Sequence, residues 1–288
     1  SVAHARRLVI GLGGILGARY GRFAAAGSDS YGYVSQARLW LEGTPRTVQP
    51  WVQQVSWPNR EWVFAPLGYR PVSADGTIVP TYPAGLPMVM ALFLGLFGED
   101  GPFYVVPVFA SLALWFTYLL GREAIGGKSA AALAALLLLA SPAFLAHLMV
   151  PMSDVPAAAG WALVALLALK GDGSLFRQRP GEKDSRPLFV GVAAGLTLLI
   201  RPNLFLLSLV PAVAWRFRRG PLARYALGLA PALLTLAAIN TRLYGSALAF
   251  GYGSLLESYS FHTALPNVRN YAAWLVETQT PLIALALV

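Results

Sequence analysis

Two carboxylates and one guanidinium stand out because each borders an apolar run. Asp29 lies in GSDSYGYVSQARLWLEG (27–43), Asp154 in VPMSDVPAAAGWALVALLAL (150–169), and Arg201 in LTLLIRPNLFLL (196–207). A lone acid at the mouth of a helix has two uses. It can cap the helix by accepting backbone N–H bonds, or take a proton from a reacting hydroxyl as a general base. Asp154 fits the first use better than the second, because Pro156 occupies a permitted first-turn position. Arg201 is equally double-sided. Its guanidinium can snorkel to an interface or grip a phosphate with two parallel hydrogen bonds.

Other familiar chemistry is missing from the sequence. With no cysteine, neither a disulfide framework nor a thiolate metal site can form. His4, His147 and His262 are far apart in the chain, and there is no P-loop and no HExxH. GLGGILG would need its third dinucleotide-loop glycine where Leu16 stands, so Gly13 and Gly17 read instead as a small-xxx-small packing pair.

The elements that must hold these residues are membrane helices. Hydrophobic residues form 56% of the chain and charged residues 12%, about half the charge of a typical soluble protein. Mean hydropathy is +0.56. Apolar runs separated by short basic loops predict seven spans, at about 6–26, 102–121, 128–146, 155–170, 187–200, 203–217 and 222–240, with an eighth beginning near 279. The first is read as an uncleaved span, not a signal peptide. The apolar stretch 82–98 has too few residues after Pro87 to cross, and reads as an interfacial or re-entrant helix. The run 281–288 is also too short to cross, so the chain is expected to be a piece of a longer protein, cut inside a helix. The fold expected is all-α, a polytopic transmembrane bundle over 1–288, with juxtamembrane helices in a long first outer loop at 27–101.

Charge assigns the sides. With the N-terminus inside, segments 1–7, 121–128, 170–187 and 216–224 hold 13 of the 22 lysines and arginines but only four acids. That is the positive-inside pattern, so the net charge of +9 implies orientation and no nucleic-acid partner. Asp29, Asp154 and Arg201 then share the outer face, where two isolated acids at the mouths of spans can share a site. Within 27–43, Tyr33, Ala37, Trp40 and Leu41 fall on one helical face, with Ser30, Gln36 and Arg38 elsewhere. Arg19, Arg22 and Arg242 read as interfacial anchors.

In this order the segments resemble the GT-C superfamily of integral-membrane glycosyltransferases, especially bacterial relatives of the protein mannosyltransferases and of the aminoarabinose transferase that modifies lipid A. The resemblance rests on GSDSYGYVSQARLWLEG, TYPAGLPMVMALFLGLFG, MVPMSDVPAAAGWALVAL, GLTLLIRPNLFLL and NTRLYGSALAFGYG, and spans 27 to about 253. It implies a polyprenyl-phosphate sugar donor, a membrane lipid environment, an acceptor of unspecified class, and a bacterial inner membrane with the active site outside. Asp29 would be the base on the acceptor hydroxyl, and Asp154 the second acid. Arg201 would meet the leaving phosphate, while Tyr33, Tyr82, Tyr244 and Tyr252 would line a sugar cleft. A divalent cation (Mg, Mn or Zn) held by Asp29 and Asp154 would be compatible. However, Ser30 follows Asp29 where protein mannosyltransferases carry Asp-Glu, so metal use does not carry over. The alternative is a lipid-linked-saccharide flippase or other transporter. It predicts inverted repeats and midplane ionisable groups, whereas no two halves align and the polar groups sit at the outer ends.

Overall fold

The computed structural model describes residues 2–169, 185–254 and 261–279. They form α1 (Val2–Tyr20), α2 (Gly27–Glu42), α3 (Arg60–Val63), α4 (Gly85–Phe97), α5 (Gly101–Ile125), α6 (Lys128–Ala140) and α7 (Pro142–Leu148). Next come α8 (Asp154–Leu169), α9 (Arg186–Ile200), a 3-10 helix Pro202–Leu209, α10 (Val210–Ala214), α11 (Arg219–Tyr244) and α12 (Ala264–Gln279). The chain is mostly helical, as its composition predicts.

Close approaches through small residues set the direction of each helix. A Cβ on Gly13 would stand 2.5 Å from Leu114, and one on Gly17 2.9 Å from Pro107, so α1 runs antiparallel to α5 with almost no gap. The pair read from sequence as a packing motif serves as one. α6 turns back along α5 at Gly126-Gly127, with Ala131 under Gly121 and Leu139 beside Leu114 in a shared apolar cluster. α8 and α9 are antiparallel, since Gly160 meets Thr197 and Val164 packs with Val190 and Ala194. α9 and α11 run in the same sense, because Gly191 lies against Tyr225 and Gly195 against Ala232. Two consecutive long helices can be parallel only if the chain between them returns across the bundle, and 202–214 makes that return.

Those directions define two ends. One carries the C-termini of α1, α7, α9 and α11 and the N-termini of α5 and α8. There the backbone N–H of Arg22 bonds Met149 O (2.9 Å), and Phe23 packs on Phe103 and Tyr104. The other end carries Arg122, Lys128, Arg186, Arg216, Arg218, Arg219 and Arg224, with Glu123 as the acid beside them among the described residues. The basic loop 170–184 and the eighth span near 279 fall largely or wholly outside the described residues.

Several span assignments need correction. Two described helices, α5 and α11, are long and apolar enough to cross a membrane, or three crossings if the bent pair α6–α7 is one span. The expected 128–146 span is broken by 65° at Ser141-Pro142, where Ser141 Oγ caps α7 by accepting the Phe144 N–H (3.3 Å). The expected 203–217 span is not one α-helix, since only α10 within it is α-helical. Pro202 opens a 3-10 helix, Pro211 denies an α-type N–H donor, and Arg216 and Phe217 turn the chain at φ +48 and +54°. α8 and α9 have 16 and 15 residues, about 22–24 Å at 1.5 Å per residue, which is shorter than the roughly 30 Å of hydrocarbon.

The first loop contains strands as well as the expected helices. β1 (Thr47–Val48), β2 (Tyr69–Pro71) and β3 (Thr77–Pro80) form an antiparallel sheet in the order β1-β3-β2. Its signal was in the sequence: Asp75-Gly76 before the β-branched run Thr77-Ile78-Val79 is a hairpin signature. Gly76 takes φ +86°, and Asp75 Oδ1 accepts the Thr77 N–H (2.8 Å) and hydroxyl (2.6 Å) and the Ser73 hydroxyl. These donors hold the Asp75 carboxyl down at about 2. β4 (Ala249–Phe250) and β5 (Gly253–Ser254) make a second hairpin just after α11.

Candidate active site at one end of the bundle

Asp29 is in the first turn of α2, a helix whose ends are explained locally. Gly27 (φ +78°) admits the chain, and Gly43 (φ +72°) closes it with Gly43 N–H to Trp40 O and Thr44 N–H to Leu39 O, a Schellman pair. The N-cap is Ala26, which offers no side-chain bond. The capping role for Asp29 is therefore unfilled, and its Oδ1 instead accepts the phenol proton of Tyr82 at 2.5 Å. The phenol has one proton, so the Ser28 hydroxyl, 2.9 Å away, donates to the phenol oxygen.

The buried face of α2 differs from the predicted one. Ser30, Tyr33, Gln36 and Ala37 are buried, while Leu41 is 53% exposed. The sequence read α2 as a helix lying on the membrane with Tyr33, Ala37, Trp40 and Leu41 on one face, but α2 packs on α4 and the chain leading into it, where polar groups have partners. The Gln36 amide, oriented by its hydrogen bonds, donates to the Tyr82 carbonyl (3.2 Å) and accepts from the Trp40 indole (3.0 Å). Leu86 and Met90 of α4 are fully buried beside Tyr33 and Tyr82. Each contributes roughly 1.5–3 kcal/mol of apolar burial to holding this wall.

From Tyr82 the cluster continues through aromatic contact. The Tyr33 and Tyr82 rings are 4.9 Å apart, and Tyr252, on the turn between β4 and β5, meets Tyr82 edge-on at 6.0 Å. The Tyr33 hydroxyl donates to Ser153 Oγ at 2.9 Å, just before Asp154 at the start of α8. Asp154 in turn accepts from Arg201, which follows the last residue of α9. Both members of that ion pair keep about a third of their side-chain surface exposed, 30% for Asp154 and 31% for Arg201. Tyr33 lies in the combined field of Arg201, Asp154 and Asp29, and Tyr252 in that of Asp29 and Arg201. Burial raises the Tyr33 hydroxyl above the ordinary phenol value, and burial followed by the Asp29 carboxylate pushes Tyr82 up to about 12.

Six of the seven predicted site residues thus form one cluster: Asp29, Tyr33, Tyr82, Asp154, Arg201 and Tyr252. Tyr244 is the exception. Its hydroxyl donates to Pro80 O (2.9 Å), tying α11 to the first-loop sheet. Arg70 acts nearby, donating to the carbonyls of Phe250 (3.4 Å) and Gly251 (3.2 Å) and fixing the Tyr252 hairpin. Sequence reading missed Ser28, Gln36 and Arg70, and no local pattern marks them, because their partners lie up to 181 positions away.

The fit to a divalent cation is poor. Among the described residues no three His, Cys, Asp or Glu side chains gather, and the two acids proposed as ligands are each engaged by a protein donor. What the cluster offers is a carboxylate with one oxygen held and one open, an arginine with unused donors, and three tyrosine rings between them.

Compared with family models, curated proteins and solved structures, the chain matches none.

Proposed function

We propose that the chain is the membrane-embedded core of a GT-C-type glycosyltransferase, moving a sugar from a polyprenyl-phosphate donor to an acceptor hydroxyl at the outer face. One observation carries this reading: Asp29, Tyr82, Asp154, Arg201 and Tyr252 come from separate segments and meet at one end, opposite the arginine-rich end. The alternating directions of α1, α5, α6–α7, α8, α9, 202–214 and α11 support a seven-pass arrangement, in which the short helices cross a locally thinned bilayer. The basic end faces the cytoplasm and the cluster the outside, as in a bacterial inner-membrane protein.

The chemistry follows from the residues. Asp29 takes the acceptor proton through its open oxygen while the acceptor oxygen bonds to the anomeric carbon. The bond from that carbon to the phosphate oxygen breaks, and its electron pair leaves on the polyprenyl phosphate. Arg201 meets that charge. Exchange from Asp154 to phosphate keeps the guanidinium paired with an anion throughout. The exposed Tyr252 ring receives the sugar, with the buried Tyr33 and Tyr82 rings behind it.

The test uses full-length protein in membranes supplied with a radiolabelled polyprenyl-phosphate sugar. Asp29→Asn is expected to lower transfer by about 10²- to 10⁴-fold. Equal transfer by wild type and variant would remove Asp29 from the reaction. Protein-dependent scrambling of the lipid without transfer would favour a transporter.

A further inference from the structure

Tyr82 is held more tightly than a sugar-lining residue requires. Its carbonyl is bonded by Gln36, its ring is faced by Tyr33 and Tyr252, and its phenol reaches Asp29 and Ser28. The ring lies directly over Gly32. A Cβ there would sit 2.3 Å from both Cδ2 and Cε2, well inside contact distance. Behind Gly32 is Gly68 (φ +85°), whose own Cβ would stand 2.7 Å from Gly32 Cα. Two glycines are therefore stacked so that α2, the loop and the ring close on one another. The residue just before Tyr82 is pinned as well: Thr81 N–H bonds Gly68 O at 2.8 Å, and Gly251 is pressed against the Thr81 carbonyl. The ring is 5% exposed, and its hydroxyl stays protonated across the physiological range, so it is a permanent donor.

We infer that Tyr82 is a positioning residue for Asp29: its phenol occupies Oδ1 and fixes the carboxylate plane, so that Oδ2 alone meets the acceptor hydroxyl. This rests on the reading of Asp29 as the base. A carboxylate on the first turn of a helix has two free torsions, and a misplaced base loses rate without losing substrate affinity. The phenol removes that freedom. Ser28 donates to the phenol oxygen and thereby keeps the phenol proton directed at Asp29. The sugar then contacts the exposed Tyr252 ring and not the Tyr82 hydroxyl, which has no donor left.

The test measures kcat and KM for both substrates in full-length protein, comparing Tyr82→Phe with Tyr69→Phe. Tyr69 is a fair comparator because its hydroxyl also bonds a serine of α2, Ser35 at 2.8 Å, but reaches no acid. Tyr82→Phe keeps the ring over Gly32 and deletes only the hydroxyl. Its kcat should fall about 10- to 100-fold, the scale of a hydrogen bond to a charged group, with KM within about twofold. Tyr69→Phe should leave kcat unchanged, and both should melt near the wild-type temperature. An unchanged kcat in Tyr82→Phe overturns the positioning role. So does a rise in KM alone, which would make Tyr82 a sugar contact. An equal loss in Tyr69→Phe would reduce the effect to loop stability and overturn it too. Asp29→Asn is run beside them: full activity there defeats the base reading itself, whereas loss in Asp29→Asn with normal Tyr82→Phe defeats only the positioning of Asp29 by Tyr82.

Discussion

The tyrosines of the site are held in their neutral form by their surroundings. Tyr82 shows this in a measurable way. Burial and the adjacent Asp29 carboxylate raise its phenol to about 12, against 10 when the chain is unfolded. The fold thus favours the neutral phenol. Its contribution to stability is complete below pH 10 and is lost as pH rises through about 12. A difference ultraviolet titration, wild type minus Tyr82→Phe, should show one tyrosine ionising near pH 12. A midpoint at 10 would mean that the phenol is neither buried nor faced by the Asp29 carboxylate. Arg201 makes a second prediction. A lysine in its place keeps the charge but not the planar fork, so Arg201→Lys should weaken donor binding by about tenfold while leaving acceptor KM unaffected. Steady-state kinetics with each substrate varied separately will decide it.

Among the elements, α2 and the loop after it carry the precision. α2 was expected to lie on the membrane with an apolar face down, yet it buries Ser30 and Gln36 and exposes Leu41. Burying Gln36 is tolerable because both ends of its amide find partners; unpaired, such a group would cost about 1–3 kcal/mol. The stack of Gly32, Gly68 and the Tyr82 ring leaves no room for a methyl group. Gly32→Ala should therefore destabilise the protein by about 1–3 kcal/mol, as overpacked sites do, and by displacing Tyr82 lower transfer at least as far as Tyr82→Phe does. A variant with wild-type melting temperature and activity would show the stack to be loose. The hairpin at Asp75-Gly76 was legible from its turn chemistry. The break at Ser141-Pro142 was legible too, since a serine before a proline starts a helix.

For the whole molecule the decisive question is which end faces out. The basic residues Arg122, Lys128, Arg186, Arg216, Arg218, Arg219 and Arg224 gather at the end opposite the carboxylate cluster. The chain contains no cysteine, so a single introduced thiol reports without background. A cysteine at Ser73, in the first-loop sheet, should react with an impermeant reagent added outside intact cells. One at Ser185, at the start of α9, should react only after permeabilisation. The reverse pattern would invert the topology and move the site to the cytoplasmic face. Apolar composition alone led to seven uninterrupted spans, but hydropathy is blind to hydrogen-bond register: prolines at 142, 202 and 211 break the ladder without lowering it.

What the sequence determined by itself was local or additive: a helical apolar chain, a charge asymmetry, the glycine pair of α1, and the residue types able to do acid–base and phosphate chemistry. Each follows from neighbours in the chain or from a sum over it. Which of those residues meet was settled by packing between helices far apart in the chain. Asp29 and Tyr82 are 53 positions apart, Asp154 and Arg201 47, and Tyr33 and Ser153 120. A side chain within one helix turn has its neighbours fixed by the 3.6-residue period. Across such separations the neighbours depend on packing directions, and these were set by close contacts at Gly13, Gly160, Gly191 and Gly32. The same packing turned Asp29 from a possible helix cap into a carboxylate held by a phenol, and took Tyr244 out of the cleft to serve as a tie.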